Sequence, residues 1–291
     1  ANNHRALTVG WGSTDTVIEN NAFLDAVPRG VTIERTAVRT YVAYNYFADP
    51  GDNLCADNRP GGGGRSVFHH GFYSHSSIVE GNDARCKIEA DNYWGNQGPY
   101  ITYYRNRVRT GNDPNWEGML GTEEFGNGEL SYVNYLGNNV ARVRRSGGGA
   151  VDMNDTAVHG ERNVIRVSCS LQQLSGATDP QCANNSGAGT NATTTWQDNA
   201  VGVDAAPASW DGFDAPDSLI YDAAPSWWCQ EACPFAAHEG IGAFGDDFSG
   251  SLCALPAERW SKGLSCTPLA GGGESPPPAA PQPPMAPVLL P

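Results

Sequence analysis

The chain has 291 residues and a formal net charge of −14, with 18 Lys plus Arg against 32 Asp plus Glu. That balance excludes the basic surface nucleic-acid binding requires, and no apolar run approaches the ~20 residues of a membrane-spanning helix. The 35 glycines and 20 prolines suit a turn-rich β protein, and the acidity gathers late: residues 171–291 hold 2 basic and 13 acidic side chains.

From the N-terminus onward one short phrase keeps returning. It reads Ile18-Glu19-Asn20-Asn21-Ala22-Phe23, then Val42-Ala43-Tyr44-Asn45-Tyr46-Phe47 and Val79-Glu80-Gly81-Asn82-Asp83-Ala84. It returns as Tyr103-Tyr104-Arg105-Asn106-Arg107-Val108 and Tyr135-Leu136-Gly137-Asn138-Asn139-Val140, and in degraded form as Gly160-Glu161-Arg162-Asn163-Val164-Ile165. The aligned Asn are 24, 37, 24, 32 and 25 residues apart, a base period of 24 with insertions. Periods of this size mark a solenoid. Alternation at period 2 marks its elements as strands. Three residues before each Asn stands Ile18, Val42, Val79, Tyr103, Tyr135 or Gly160; two after it stands Phe23, Phe47, Ala84, Val108, Val140 or Ile165. Both columns are mostly apolar and β-prone. Stacking them at strand spacing of about 4.8 Å turns the Asn column into a ladder of amides, each able to donate and accept.

In chain order, the first partial repeat spans 1–26 with Thr16-Val17-Ile18 as a strand, and the second spans 27–49 with Val31-Thr32-Ile33. Residues 49–66 form a Gly- and Asp-rich excursion, and long loops on solenoids tend to carry function. Asp49, Asp52 and Asp57 in that loop are candidate ligands for Ca²⁺, which takes oxygen donors from flexible backbone. The most regular repeats lie in 67–108. A polar loop follows at 109–129, the last repeats at 130–168, and a Ser-, Thr- and Asn-rich stretch at 169–200. No strong helix is predicted. Residues 271–291 are Pro-rich and favour extended polyproline II over a packed core.

The eight cysteines contain no CxxC pair, which argues against a zinc site and for disulfides in an oxidising compartment. Pairing of sequential neighbours gives 55–86, 169–182, 229–233 and 253–266 as one available connectivity.

Outward columns follow from the same alignment. On the middle repeats they combine Tyr41, Tyr46 and Tyr104 with Glu80, Asp83 and Arg107. Tyr rings lie flat against sugar faces, and carboxylates and Arg bond hydroxyls or uronates. A hydrolase needs two carboxylates flanking one bond, for which Glu80 and Asp83 are candidates, with Glu89 and Asp91 following. A lyase needs a base near a neutralised uronate, for which His69, His70, His75, Arg85 and Arg105 are candidates.

The phrases VIENNAF, YVAYNYF and SIVEGND resemble the coil motif of the right-handed parallel β-helix, or pectin-lyase-like, superfamily. Residues 218–260, with Pro225-Ser226-Trp227-Trp228, Gly242 and Pro256-Ala257-x-Arg259, resemble the closing segment of bacterial secreted β-helix proteins. The resemblance implies an all-β right-handed parallel β-helix over 1–217, a C-terminal cap at 218–266 and a disordered Pro-rich tail at 267–291. The Arg-Pro-Arg type motif of pectate lyases is not found. The abrupt start at Ala1 fits a piece lacking upstream coils, and bare coil ends permit end-to-end self-assembly.

The expectation is a secreted or cell-surface protein with a polysaccharide partner, no nucleic acid and no membrane span, acting by lyase or hydrolase chemistry with or without Ca²⁺. The alternative is a non-catalytic surface, adhesin or fibre module using the solenoid as a rigid spacer.

Overall fold

The computed structural model describes residues 5–24, 29–48, 64–91, 93–108, 119–123, 132–146, 158–161, 164–168, 195–197, 200–201, 218–232, 235 and 254–269. Its strands recur in threes, each set one rung. The first rung is β1 (Arg5–Val9), β2 (Thr14–Glu19) and β3 (Ala22–Phe23). The second is β4 (Arg29–Glu34), β5 (Val38–Ala43) and β6 (Tyr46–Phe47). The third is β7 (Arg65–His70), β8 (Ser77–Glu80) and β9 (Asp83–Ala84), and the fourth β10 (Lys87–Asp91), β11 (Ile101–Tyr104) and β12 (Arg107–Val108). Beyond them lie β13 (Met119–Glu123), β14 (Val133–Leu136), β15 (Asn139–Ser146), β16 (Val158–Glu161), β17 (Val164–Ser168), β18 (Thr195–Gln197) and β19 (Ala200–Val201).

The pairings among these strands are parallel, and the described residues form an all-β body of two sheets. The middle strands of the rungs make one sheet, in the order β2-β5-β8-β11-β14-β16-β18. The first and third strands make the other, in which the long β15 pairs with both β12 and β13 and so joins its two limbs.

The predicted columns set the register. Ile18 pairs with Val42, Val42 with Val79, Val79 with Tyr103 and Tyr103 with Tyr135. These residues are buried, as are Phe47, Ala84 and Val108 of the second column, together with Val31, Ile33, Val67 and Ile88. Full burial of such side chains stabilises by about 1.5–3 kcal/mol each. Like rings stack on like: Phe23 on Phe47 at 4.6 Å and Tyr103 on Tyr135 at 5.0 Å between centroids. Among these apolar groups sits His69, fully buried, its Nδ1 2.9 Å from the Tyr103 hydroxyl. Burial draws the His69 imidazole down to about 3.

The Asn ladder is present over five rungs. The Oδ1 of Asn45 accepts from the backbone N–H and Nδ2 of Asn21 at 2.9 and 3.0 Å. Asn82 does the same for Asn45, Asn106 for Asn82 and Asn138 for Asn106. Each following Nδ2 also donates to the carbonyl of the apolar column one rung back: Asn45 to Ile18, Asn82 to Val42, Asn106 to Val79, Asn138 to Tyr103. The residue before each Asn turns the corner at positive φ, from 50° at Arg105 to 61° at Gly81. Gly81 is needed for space as well, since a Cβ there would meet the Tyr44 ring.

Two expectations are corrected. Cys229 is bonded to Cys266, which overturns the 229–233 and 253–266 pairings: the folded backbone brings their Cα atoms to 5.1 Å across 37 residues of sequence. Cys86 is also disulfide-bonded, to a cysteine outside the described residues. A helix, α1 (Pro256–Ser261), is present, with Pro at its start, where a missing N–H costs nothing, and Glu258 in its first turn.

The C-terminal segment packs along the flank of the stack. Trp228, Cys229, Ala232 and Leu255 bury against Ala43 and Tyr44 of the second rung, with Tyr221, Trp227 and Phe235 packed around them. The Tyr44 ring meets Trp228 edge-on at 5.2 Å. Among the described residues no helix is long and apolar enough to cross a membrane.

Candidate functional site

The expected ligand face is where the C-terminal segment docks. Glu80, Tyr104, Asp83, Tyr46 and Arg107 are aligned on neighbouring rungs as the spacing predicts, but all are buried. Glu80 is held at both oxygens: Tyr44 donates its hydroxyl to Oε1, and the Leu219 N–H donates to Oε2 at 2.8 Å. Burial pushes the Glu80 carboxyl up, and bonds from Ser218, Tyr44 and Leu219 pull against it. Arg107 donates from Nη2 to Asp83 Oδ2 at 2.6 Å. Burial draws the Arg107 guanidinium down to about 10, opposed chiefly by Glu258 of α1. Lys262 sits 5.6 Å over the Tyr46 ring and donates to Glu258 at 2.7 Å. Arg105 is buried over the Tyr104 ring at 5.1 Å.

The other expected residues lie apart from this group. Tyr41 is at an outward position of the middle-strand sheet, in register with Val17 and Ile78. Arg85 is half-buried at the corner after β9. His75 is half-buried at the corner before β8, Nδ1 3.0 Å from Ser76 Oγ, and burial, then Arg39, lowers its imidazole. His69 points inward and His70 outward, so adjacent strand residues do not converge on one ion. Among the described residues no group of three or more His, Cys, Asp and Glu could hold a metal. Asp49, Asp52 and Asp57 lie outside the described residues.

The exposed aromatic groups lie at another corner, where the first strand of each rung turns into its middle strand. Trp11, Tyr73 and Trp94 stand 76 %, 55 % and 60 % exposed there, and Tyr93, Tyr100 and Tyr132 are also exposed. The turns carrying them are stitched together by backbone bonds: Gly12 N–H to Arg35 O, Thr36 to Phe72, Tyr73 to Asn96, and Tyr100 to Tyr132. The aromatic groups therefore share one corner on the first, third, fourth and fifth rungs, with Arg35 at that corner on the second. Arg35 stacks 4.3 Å above Trp11, Tyr100 lies 5.5 Å from Tyr132, and Arg39 makes a two-pronged ion pair with Asp15 at 2.6 and 2.7 Å.

Beside this edge the outward positions on the first strands of the rungs carry a charged set that is itself largely buried. Arg5, Arg29, Arg65 and Lys87 stack in register, and acidic groups offset them: Glu34 bonds Arg5 at 2.5 Å and Glu89 pairs with Arg65. Burial, with Arg65 and Arg5 nearby, draws Arg29 down to about 10. At the seam between charged face and aromatic edge, His70 Nδ1 lies 2.7 Å from Asp91 Oδ2, and the Trp94 indole donates to His70 Nε2 at 3.2 Å. Burial pushes the Asp91 carboxyl up while His70 pulls it back.

Sequence reasoning flagged His70 and Asp91 singly and missed Trp94 and the whole aromatic corner. The available signal was six aromatic residues confined to inter-strand turns, where a soluble surface ordinarily spends polar residues. Comparisons with protein-family models, curated proteins and solved structures each return no match to the chain.

Proposed function

We propose that this chain is a secreted or surface-displayed right-handed parallel β-helix of the pectin-lyase-like kind that binds a polysaccharide along its aromatic corner. The observation carrying this reading is the run of exposed Trp11, Tyr73, Tyr93, Trp94, Tyr100 and Tyr132 on turns bonded rung to rung. An exposed apolar stripe rimmed by polar groups marks a binding surface, and flat rings with polar edges suit sugar faces. Stacked parallel rungs with a buried Asn ladder support the helical reading of the fold. Disulfides at Cys229–Cys266 and Cys86 support an oxidising compartment.

The reading is binding rather than bond cleavage. Of the acid–base candidates, Glu80, Asp83 and Arg105 are buried, Glu80 in a bond to Leu219 of the C-terminal segment and Asp83 in an ion pair with Arg107. That observation favours the module over the enzyme.

Affinity electrophoresis in gels containing hydroxyethyl cellulose, xylan, alginate or polygalacturonate tests it. At least one polymer is expected to retard the wild type, and Trp94→Ala or Tyr73→Ala to weaken retardation by about three- to tenfold, the worth of one aromatic contact. Equal mobility with and without every polymer, or retardation untouched by both substitutions, would refute the reading.

A further inference from the structure

Trp94 is exposed, yet it is tied to the body of the protein through a chain of buried groups. An indole N–H only donates, so His70 Nε2 must accept it at 3.2 Å. The single ring hydrogen of neutral His70 is then on Nδ1, aimed at Asp91 Oδ2 2.7 Å away. The His70 ring is stacked roughly parallel to Phe68 at 4.7 Å and to Tyr93 at 6.4 Å between centroids. Tyr93 meets Trp94 edge-on at 4.8 Å. Asp91, at the end of β10, is almost wholly buried, whereas the indole it indirectly holds is open to solvent.

Burying a carboxylate and most of an imidazole costs free energy unless both are well bonded. Here they orient a ring that is mostly open to solvent. An exposed Trp left to itself samples several rotamers, and a ligand must then bear the cost of fixing it. We infer that Asp91 and His70 are positioning residues that hold Trp94 as a preorganised sugar-stacking platform. This rests on the aromatic corner binding a polysaccharide, and adds which ring is its rigid anchor and what holds it.

The test uses His70→Gln and His70→Ala in the full chain. Gln keeps both bonds, since its amide oxygen accepts from the indole and its NH₂ donates to Asp91; Ala removes both. The first readout is solvent exchange of the Trp94 indole N–H by ¹⁵N NMR, the resonance being identified by its loss in Trp94→Phe. Slow exchange is expected in the wild type and H70Q and about tenfold faster exchange in H70A, the order of one lost hydrogen bond. The second is affinity for hydroxyethyl cellulose and polygalacturonate, expected about three- to tenfold weaker in H70A and restored in H70Q. Equal indole exchange in the wild type and H70A would overturn the positioning chain. A wild type that binds and an H70A variant that binds equally well would overturn its role in recognition. Absence of wild-type binding to every polymer would sink the polysaccharide reading instead, so the two failures appear in different measurements.

Discussion

Replacing Asn82 by Ala should cost far more than replacing Asn21 by Ala, because the ladder has a direction. Asn82 accepts the backbone N–H and the Nδ2 of Asn45, each at 3.0 Å, and donates to the Val42 carbonyl at 2.8 Å and to Asn106 Oδ1 at 3.0 Å. Truncation leaves the Asn45 N–H and the Val42 carbonyl buried without these partners. Stranding a buried polar group costs about 1–3 kcal/mol and a lost net bond about 1 kcal/mol, so the total is about 3–5 kcal/mol. Asn21 sits at the first rung; its Nδ2 donates to Glu19 O and Asn45 Oδ1, and Asn45 Oδ1 keeps the Asn21 backbone N–H as a donor. Its truncation strands no donor and should cost about 1 kcal/mol or less. Chemical denaturation of both variants by circular dichroism, analysed at constant m-value, makes the comparison. Equal losses, or an Asn82→Ala loss below about 1 kcal/mol, would refute the account of the ladder as a directional chain.

Three more predictions concern the core and the C-terminal segment. Cys266→Ser opens a 37-residue link and should loosen the segment by up to about 4 kcal/mol in the chain-entropy model, read as faster proteolysis within residues 218–269. His69, drawn down to about 3 when folded, takes a proton more readily in the unfolded chain, so its stabilising effect is present above the unfolded range near 6.5 and is lost as pH falls. Stability should drop by up to about 1.4 kcal/mol per pH unit between about pH 6.5 and 3, and His69→Leu should flatten that slope. Glu80 has the opposite sign: its carboxyl is raised by burial, so its contribution is full at low pH and fades as pH rises through its folded range. Glu80→Gln should remove that fade, seen as pH-independent protease resistance of the C-terminal segment.

The interior was legible from spacing because each inward position repeats the same environment every rung. Ile18, Val42, Val79, Tyr103 and Tyr135 share one phase, and so do the ladder Asn, whose buried amides admit few substitutes. Insertions fall outside the phrase, so the 37- and 32-residue steps leave register intact. The outer surface lacked that discipline. Trp11, Tyr73 and Trp94 stand 10, 9 and 12 residues before their Asn, because corner turns vary in length, and an alignment anchored on Asn scatters them. The outward positions of Glu80 and Arg107 were read rightly from alternation. Their covering was not, because Leu219, 139 residues away from Glu80, bears no periodic relation to it. The same holds for Cys229 and Cys266, joined by the tertiary path rather than by nearness in sequence.

The flank-bound C-terminal segment also acts as a gauge of length. It packs on Tyr44 of the second rung, bonds Glu80 on the third and brings the charge of Glu258 to bear on Arg107 of the fourth. Rungs in such a stack are interchangeable as far as their interior is concerned, so duplicating or deleting a 24-residue unit would preserve the ladder. Between Tyr44 and Arg107 it would not preserve the fit of the segment, whose three anchors are set at fixed separation. The rungs it spans are thereby held to one count.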